Sequence, residues 1–277
     1  MADATTKLAV LGSPIAHSLS PLLHGTAYDR LGLDWNYEAV EVTGETLADF
    51  VESRDASWRG LSLTMPLKWD VMPLLDSVSP LVRETGSANT VLLADGRRSG
   101  FNTDVFGLVE AFKRHGRTRL DTVLILGGGA TAASALVAAK SLGATRVFVG
   151  VRAVERAAHL VAIGAALGVE LQVREFADLI QIDEVVDAVI STLPNGTAIE
   201  LSLDPDVIRT AVLLDVAYSP WPSVLATAWP GESVIGGLDM LVLQALQQVR
   251  IFVNADPNAP LDHEDDVRDS MFAAVGL

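Results

Sequence analysis

The sequence predicts an α/β protein of two domains, and three observations lead there. Short apolar runs alternate with helix-period patterns over almost all of the 277 residues. Runs such as Val123-Leu124-Ile125-Leu126 are apolar without alternation, as strands buried on both faces of a parallel sheet are. Three glycines, Gly127-Gly128-Gly129, stand between that run and an alanine-rich helical stretch, where a strand-to-helix turn needs backbone freedom.

In chain order, strands are expected near residues 7–11, 35–42, 59–64 and 89–93, where β-branched, aromatic and leucine residues gather between turn signals. Helices are expected near 20–31, 44–53 and 66–75, with Ser20 a candidate N-cap. A further helix near 103–114, with Thr103 as candidate N-cap, stops at the basic, glycine-containing His115-Gly116-Arg117. A fresh βαβ unit then opens with a strand at 122–126, so a domain boundary falls near residue 103. Strands near 146–149, 170–174, 186–191 and 211–216 follow with helices between them, and helices near 238–253 and 262–275 close the chain. The division that follows is an N-terminal α/β domain, 1–103 plus 237–277, and a second α/β domain, 104–236.

Composition narrows the function. Hydrophobic residues make up 49% and charged residues 20%, ample for packed cores and unlike a disordered chain. A net charge of −15 and a pI near 4.6 argue against nucleic acid or an anionic membrane surface as partner. An anionic ligand would therefore have to find donors and cations supplied locally. The chain has no cysteine, which rules out disulfides, thiolate metal sites and cysteine nucleophiles. The start, Met1-Ala2-Asp3-Ala4-Thr5-Thr6-Lys7, has neither the basic opening nor the apolar core of a signal peptide, and a cytoplasmic protein is expected. Residues 122–139 carry no charge, but three glycines in their middle suit a turn and not a lipid-spanning helix. The acidic run Asp262-His263-Glu264-Asp265-Asp266 reads as the carboxylate-rich first turn of a helix, favoured by the helix dipole, and no metal site is expected.

The glycine cluster has a more specific reading. Ile125-Leu126-Gly127-Gly128-Gly129-Ala130-Thr131-Ala132 fits G-x-G-x-x-A after a buried strand, the dinucleotide-binding fingerprint of a Rossmann-type, doubly wound domain. Gly127 permits the tight turn, Gly129 lets backbone approach a pyrophosphate, and Ala132 allows close helix–strand packing. Backbone N–H groups of Gly128, Ala130 and Thr131 then face phosphate charge at the helix start. Cofactor choice is written at the end of the next strand. There Val149-Gly150-Val151-Arg152 is followed by Arg156, with no carboxylate until Glu155. Two guanidiniums one helical turn apart favour the 2′-phosphate of NADP over the free ribose hydroxyl of NAD.

The first domain carries the other polar clusters. They are Gly12-Ser13-Pro14-Ile15-Ala16-His17-Ser18-Leu19-Ser20-Pro21, then Gly60-Leu61-Ser62-Leu63-Thr64-Met65-Pro66-Leu67-Lys68, then Gly86-Ser87-Ala88-Asn89-Thr90 and Gly100-Phe101-Asn102-Thr103-Asp104. Taken singly, each is a turn or a helix cap. Their order and spacing together resemble the shikimate dehydrogenase family over nearly the whole chain. The resemblance implies that Ser18 and Ser20 bind the substrate carboxylate, that Thr64 touches substrate, and that Lys68, after a T-x-P-x-K element, is catalytic. It likewise implies substrate contact for Asn89 of the V-N-T-like element and a catalytic role for Asp104 of N-T-D-x-x-G, here Asn102-Thr103-Asp104-Val105-Phe106-Gly107. Asp215-Val216-Ala217-Tyr218-Ser219-Pro220 is similar to the family's D-x-x-Y-x-P and gives Tyr218. Gly237-Leu238-Asp239-Met240-Leu241-Val242-Leu243-Gln244 resembles its G-x-G-M-L-x-x-Q, giving Gln244 as a substrate contact and Gly237 and Met240 at the cofactor. Arg152 and Arg156 match its NADP-phosphate arginines.

The chain departs from the family's usual pattern at five places. Ser62, Gly25 and Val151 stand where asparagine is usual, the glycine loop is not G-A-G-G-A, and Asp239 replaces a glycine beside the methionine. By resemblance the reaction is 3-dehydroshikimate plus NADPH giving shikimate plus NADP, by a monomer or homodimer. Chemically, hydride reduction of a ketone builds alkoxide charge, which a proton donor and cation such as Lys68 would stabilise, with Asp104 orienting the ammonium. The alternatives are a quinate/shikimate dehydrogenase of broader specificity and a catalytically silent nucleotide-sensing homologue.

Overall fold

The computed structural model describes residues 6–182, 184–194 and 203–277, which form two compact units: residues up to 103 with 242–277, and residues 104–241. The division passes through the helix Gly237–Asn254, so its first turn belongs to the second unit and the rest to the first.

The first unit is built on a sheet of β1 (Thr6–Gly12), β2 (Trp35–Glu41), β3 (Trp58–Leu63), β4 (Ser77–Val78), β5 (Thr90–Ala94) and β6 (Arg97–Phe101), in the order β2-β1-β3-β5-β6-β4. β1 runs parallel to β2 and β3, while β5 is antiparallel to both β3 and β6. Its core gathers Ala9, Leu11, Leu61, Leu63, Val82 and Val91, all nearly or fully buried. Gly60 has a packing reason: a Cβ there would stand 2.3 Å from the Phe252 ring, so glycine lets the strand and the C-terminal helix approach.

The second unit carries β7 (Thr122–Leu126), β8 (Arg146–Val151), β9 (Glu170–Glu175), β10 (Ala188–Ser191), β11 (Val212–Asp215) and β12 (Val234–Gly236). All neighbours are parallel, in the order β12-β11-β10-β7-β8-β9. Read from the far edge, that is third, second, first, fourth, fifth, sixth, the doubly wound Rossmann order with its switch point between β7 and β10. All five residues of β7 are buried, as its unbroken apolar run requires. The helix Ala130–Ser141 buries every residue from Ala132 to Ala139, and small alanines allow that close packing.

The expected two-domain α/β class holds, and several elements differ in detail. The helix expected near 66–75 is split into Leu67–Asp70 and a 3₁₀ turn, Met72–Leu74, because Pro73 cannot continue α-helical bonding. The helix near 44–53 begins only at Leu47. The hairpin strand β6 and the helix Pro80–Thr85 were not anticipated. Arg97-Arg98-Ser99 offers no apolar run, yet the two-residue Asp95-Gly96 loop signals the hairpin, with φ of 52° and 70° as a type I′ turn demands. Ser20 is the first residue of its helix and not its cap; Leu19 occupies the cap position without a side-chain bond.

Candidate active site

Sheet topology gathers the polar clusters of the first unit. The serine loop leaves the carboxyl end of β1, and the Thr64–Lys68 segment leaves the carboxyl end of its parallel neighbour β3. Antiparallel β5 begins at that same end, where the Asn89 carbonyl accepts from the Leu63 N–H at 2.8 Å and the Ala88 N–H donates to the Lys68 carbonyl at 3.0 Å. β6 returns there, and the Asn89 N–H donates to the Phe101 carbonyl at 3.1 Å, just before Asn102 and Thr103. Gly12 keeps the two loops close: a Cβ on it would lie 2.5 Å from Thr64 Cγ2.

Within this end Asn89, Thr103 and Gln244 form one buried cluster. Asn89 Oδ1 accepts from the Thr103 backbone N–H at 2.9 Å and from the Thr90 hydroxyl at 2.8 Å. Because a backbone N–H can only donate, the amide is fixed with its NH2 towards Thr103 Oγ1 at 2.8 Å and Gln244 Oε1 at 3.4 Å. Thr103 therefore precedes the helix Asp104–Arg114 but spends its side chain on this cluster. Asn102 does structural work, donating to Thr85 Oγ1 at 3.0 Å and the Ser87 carbonyl at 3.1 Å, which holds the turn before Asn89. Ser18 Oγ accepts from the Ser20 N–H at 3.3 Å. Thr64 and Lys68 are half-buried. A separate cleft of about 500 Å3 in this unit, between Arg54–Trp58 and the Ala94–Arg98 turn, contains none of the expected site residues.

The remaining candidates belong to the second unit. Asp104 is buried as its first residue, so the partition assigns it and Lys68 to different units. The glycine loop follows β7 at the switch point. Gly127 has φ +114°, and a Cβ there would stand 2.4 Å from Thr192 Oγ1. Gly129, by contrast, is exposed, with nothing within 4 Å of where its Cβ would be. That open cradle ahead of the helix Ala130–Ser141, with Ala130 and Thr131 in its first turn, fits a dinucleotide pyrophosphate. The loop adjoins the end of β8: the Gly127 N–H donates to the Gly150 carbonyl at 2.9 Å, and a Gly128 Cβ would lie 3.1 Å from Val151 Cγ1. Arg152 and Arg156 are both exposed just beyond. They do not share an α-helical face as expected, since Val154–Ala157 is a 3₁₀ turn and the α-helix starts at Ala158.

At the far side of the switch point, Asp215 closes the turn after β11 by accepting from the Ala217 N–H and the Ser223 hydroxyl, and burial pushes the half-buried Tyr218 phenol up. A Cβ on Gly237 would lie 2.3 Å from the Val216 carbonyl oxygen, so only glycine lets the helix Gly237–Asn254 start against that turn, carrying Met240 with it. Asp239 is ion-paired with Arg114 at 3.2 Å and lies 3.3 Å from His115 Nε2, so the departure from glycine adds a carboxylate compensated within its own unit. In the acidic run Glu264 takes a bidentate bond from Arg250, and among the described residues no group of three or more His, Asp or Glu is placed to hold a metal. No described helix is long and apolar enough to cross a membrane.

Residues 10–91 match the family model for the shikimate dehydrogenase substrate binding domain. A curated shikimate dehydrogenase (NADP(+)) of Ignicoccus hospitalis is 34% identical over 90% of this chain and 94% of its own length. The crystal structure of Mycobacterium tuberculosis shikimate dehydrogenase covers 98% of each chain at 34% identity with a TM-score of 0.83. That of the Thermus thermophilus enzyme in complex with NADP(H) and shikimate covers 98% of this chain and 100% of its own at 28% identity and a TM-score of 0.79. Fold and site thus define a two-unit α/β oxidoreductase of the Rossmann type. The chain belongs to the shikimate dehydrogenase family.

Proposed function

We propose that this protein catalyses the reversible NADPH-dependent reduction of 3-dehydroshikimate to shikimate, a step of aromatic amino-acid biosynthesis. The observation that carries the reading is the buried Asn89–Thr103–Gln244 cluster, set beside Thr64 and Lys68 at one end of the first sheet in a chain of this family. In this reading the first unit takes the substrate and the second the nucleotide. Ser18 and Ser20 bind the carboxylate; Thr64, Asn89, Tyr218 and Gln244 supply further contacts, the amides matched to ring hydroxyls. Gly127, Gly128, Gly129, Ala130 and Thr131 take the pyrophosphate, Arg152 and Arg156 the 2′-phosphate, and Gly237 and Met240 the nicotinamide end. NADPH supplies the hydride when bound. Lys68 donates the proton to the carbonyl oxygen and stabilises the charge that develops there, while Asp104 orients the ammonium. The protein acts in the cytoplasm as a monomer or homodimer on small molecules and not on nucleic acid.

Four rates test this: shikimate and quinate, each with NADP and with NAD, followed by nicotinamide absorbance. Shikimate with NADP is the fastest pair if the reading holds; no reduction with any pair refutes it. Replacing Lys68 by Ala lowers kcat by about a hundredfold or more with NADP affinity little changed. A variant within about threefold of wild type removes Lys68 from the chemistry.

A further inference from the structure

Behind Asn89 lies a second layer of buried polar groups, and it converges on Gln248. Gln248 stands one helical turn after Gln244 on the same face of Gly237–Asn254 and is 2% exposed. Its amide can be oriented without ambiguity, because one end faces the Asn89 carbonyl oxygen at 3.2 Å, a group that can only accept. Nε2 is therefore on that side, and it donates to Thr90 Oγ1 at 2.9 Å as well. Thr90, having accepted, sends its own proton to Asn89 Oδ1. At the other end, Oε1 accepts from the Ser62 hydroxyl at 2.9 Å and from His24 Nε2 at 3.1 Å. Ser62 in turn accepts from the Tyr37 hydroxyl at 2.7 Å.

Two chains of protons thus take their direction from one amide. One runs from Gln248 through Thr90 to Asn89; the other runs from Tyr37 through Ser62 into Gln248. With Thr90 and the Thr103 N–H both donating to its oxygen, Asn89 can turn only its NH2 to a ligand, which would take the place of the long 3.4 Å bond to Gln244 Oε1. We propose that Gln248 is a positioning residue of the substrate site: its amide, held between Ser62 and Thr90, sets Asn89 as an obligate donor to a hydroxyl or carbonyl oxygen of the substrate. The Ser62 departure gains a role here, since a side chain this short leaves room for the Gln248 amide at its hydroxyl. The inference rests on the proposed shikimate activity.

The test compares wild type, Gln248→Met and Gln248→Glu, with melting temperatures, and repeats Gln248→Met in an Asn89→Ala background. Gln248→Glu keeps the acceptor end and replaces the donating NH2 by an oxygen facing the Asn89 carbonyl, so it breaks the same link with little change in side-chain size and serves where the methionine variant does not fold. Either variant should lower kcat/KM for shikimate about tenfold, through KM more than kcat, with KM for NADP within about twofold. In the Asn89→Ala background the same change should cost less than about twofold, because the group it positions has gone. An equal loss in both backgrounds, or a loss of less than about threefold in folded single variants, overturns the proposal. Wild type that does not oxidise shikimate at all refutes the activity itself, a distinct result.

Discussion

His24 shows how far burial can move one residue. It is completely buried, its ring stacked on Tyr37 at a centroid distance of 4.0 Å, with Nδ1 3.1 Å from the Tyr28 hydroxyl. Gln248 Oε1 accepts at Nε2, so the proton sits on Nε2 and Nδ1 receives the Tyr28 hydroxyl. Burial pushes its pKa down from 6.5 to about 3, with the Gln248 bond opposing. The sign follows from proton counts. Between those two values the unfolded chain binds a proton that the native chain does not, so stability is complete above about 6.5 and is lost as pH falls towards 3. The loss should approach about 1.4 kcal/mol per pH unit in that window. Urea unfolding at several pH values should show a steeper acid loss in wild type than in His24→Asn; equal slopes would mean that the native ring takes up a proton like a free one. Beyond Tyr28 one turn on, the partners of His24 come from β2 and from a helix more than 220 residues away, so its spacing does not announce this burial.

At the scale of the element, the glycine loop separates two jobs that its sequence runs together. Gly127 needs φ +114°, and its missing Cβ makes room for a Thr192 hydroxyl already committed to the Leu126 carbonyl at 2.9 Å. Gly129 has extended backbone and open space beside it. Gly127→Ala should therefore destabilise the protein by about 1–3 kcal/mol through strain and contact. Gly129→Ala should leave the melting temperature almost unchanged and weaken NADP binding about tenfold, because its Cβ would stand where a pyrophosphate comes close. Thermal melts and NADP titration of both variants check this; the reverse pattern would remove the loop's assignment. The fingerprint spacing was legible because it depends on local backbone alone. β5 is legible in its apolar run, whereas β6 is not, because apolar periodicity is silent in Arg97-Arg98-Ser99, although the Asp95-Gly96 turn chemistry spells the hairpin.

For the whole molecule, the partition makes a prediction about where each ligand is felt. By hydrogen exchange, NADP alone should protect amides of residues 127–131, 150–156 and 237–240, while shikimate alone should protect 18–20, 64–68 and 89–90. Protection by shikimate confined to the second unit would reverse the assignment. The acidic balance of −15 sets the same requirement everywhere: each anionic group of a ligand must meet local donors, a task the proposed assignment gives to serine hydroxyls in one unit and to two exposed arginines with helix-start amides in the other.

Taken alone, the sequence determined the α/β class, the glycine turn, the arginines after β8 and the ordered motifs that mark the family. Those signals are local or ordered along the chain, and they need no knowledge of contacts. Only the tertiary structure decided that β5 runs antiparallel and so brings Asn89 to the ends of β1 and β3. It also decided that Arg114 compensates Asp239, and that Gln248 rather than any motif residue joins Ser62 to Asn89. The reason is physical: the direction of a buried hydrogen bond is fixed by which partners surround it, and those partners are assembled by packing from distant parts of the chain.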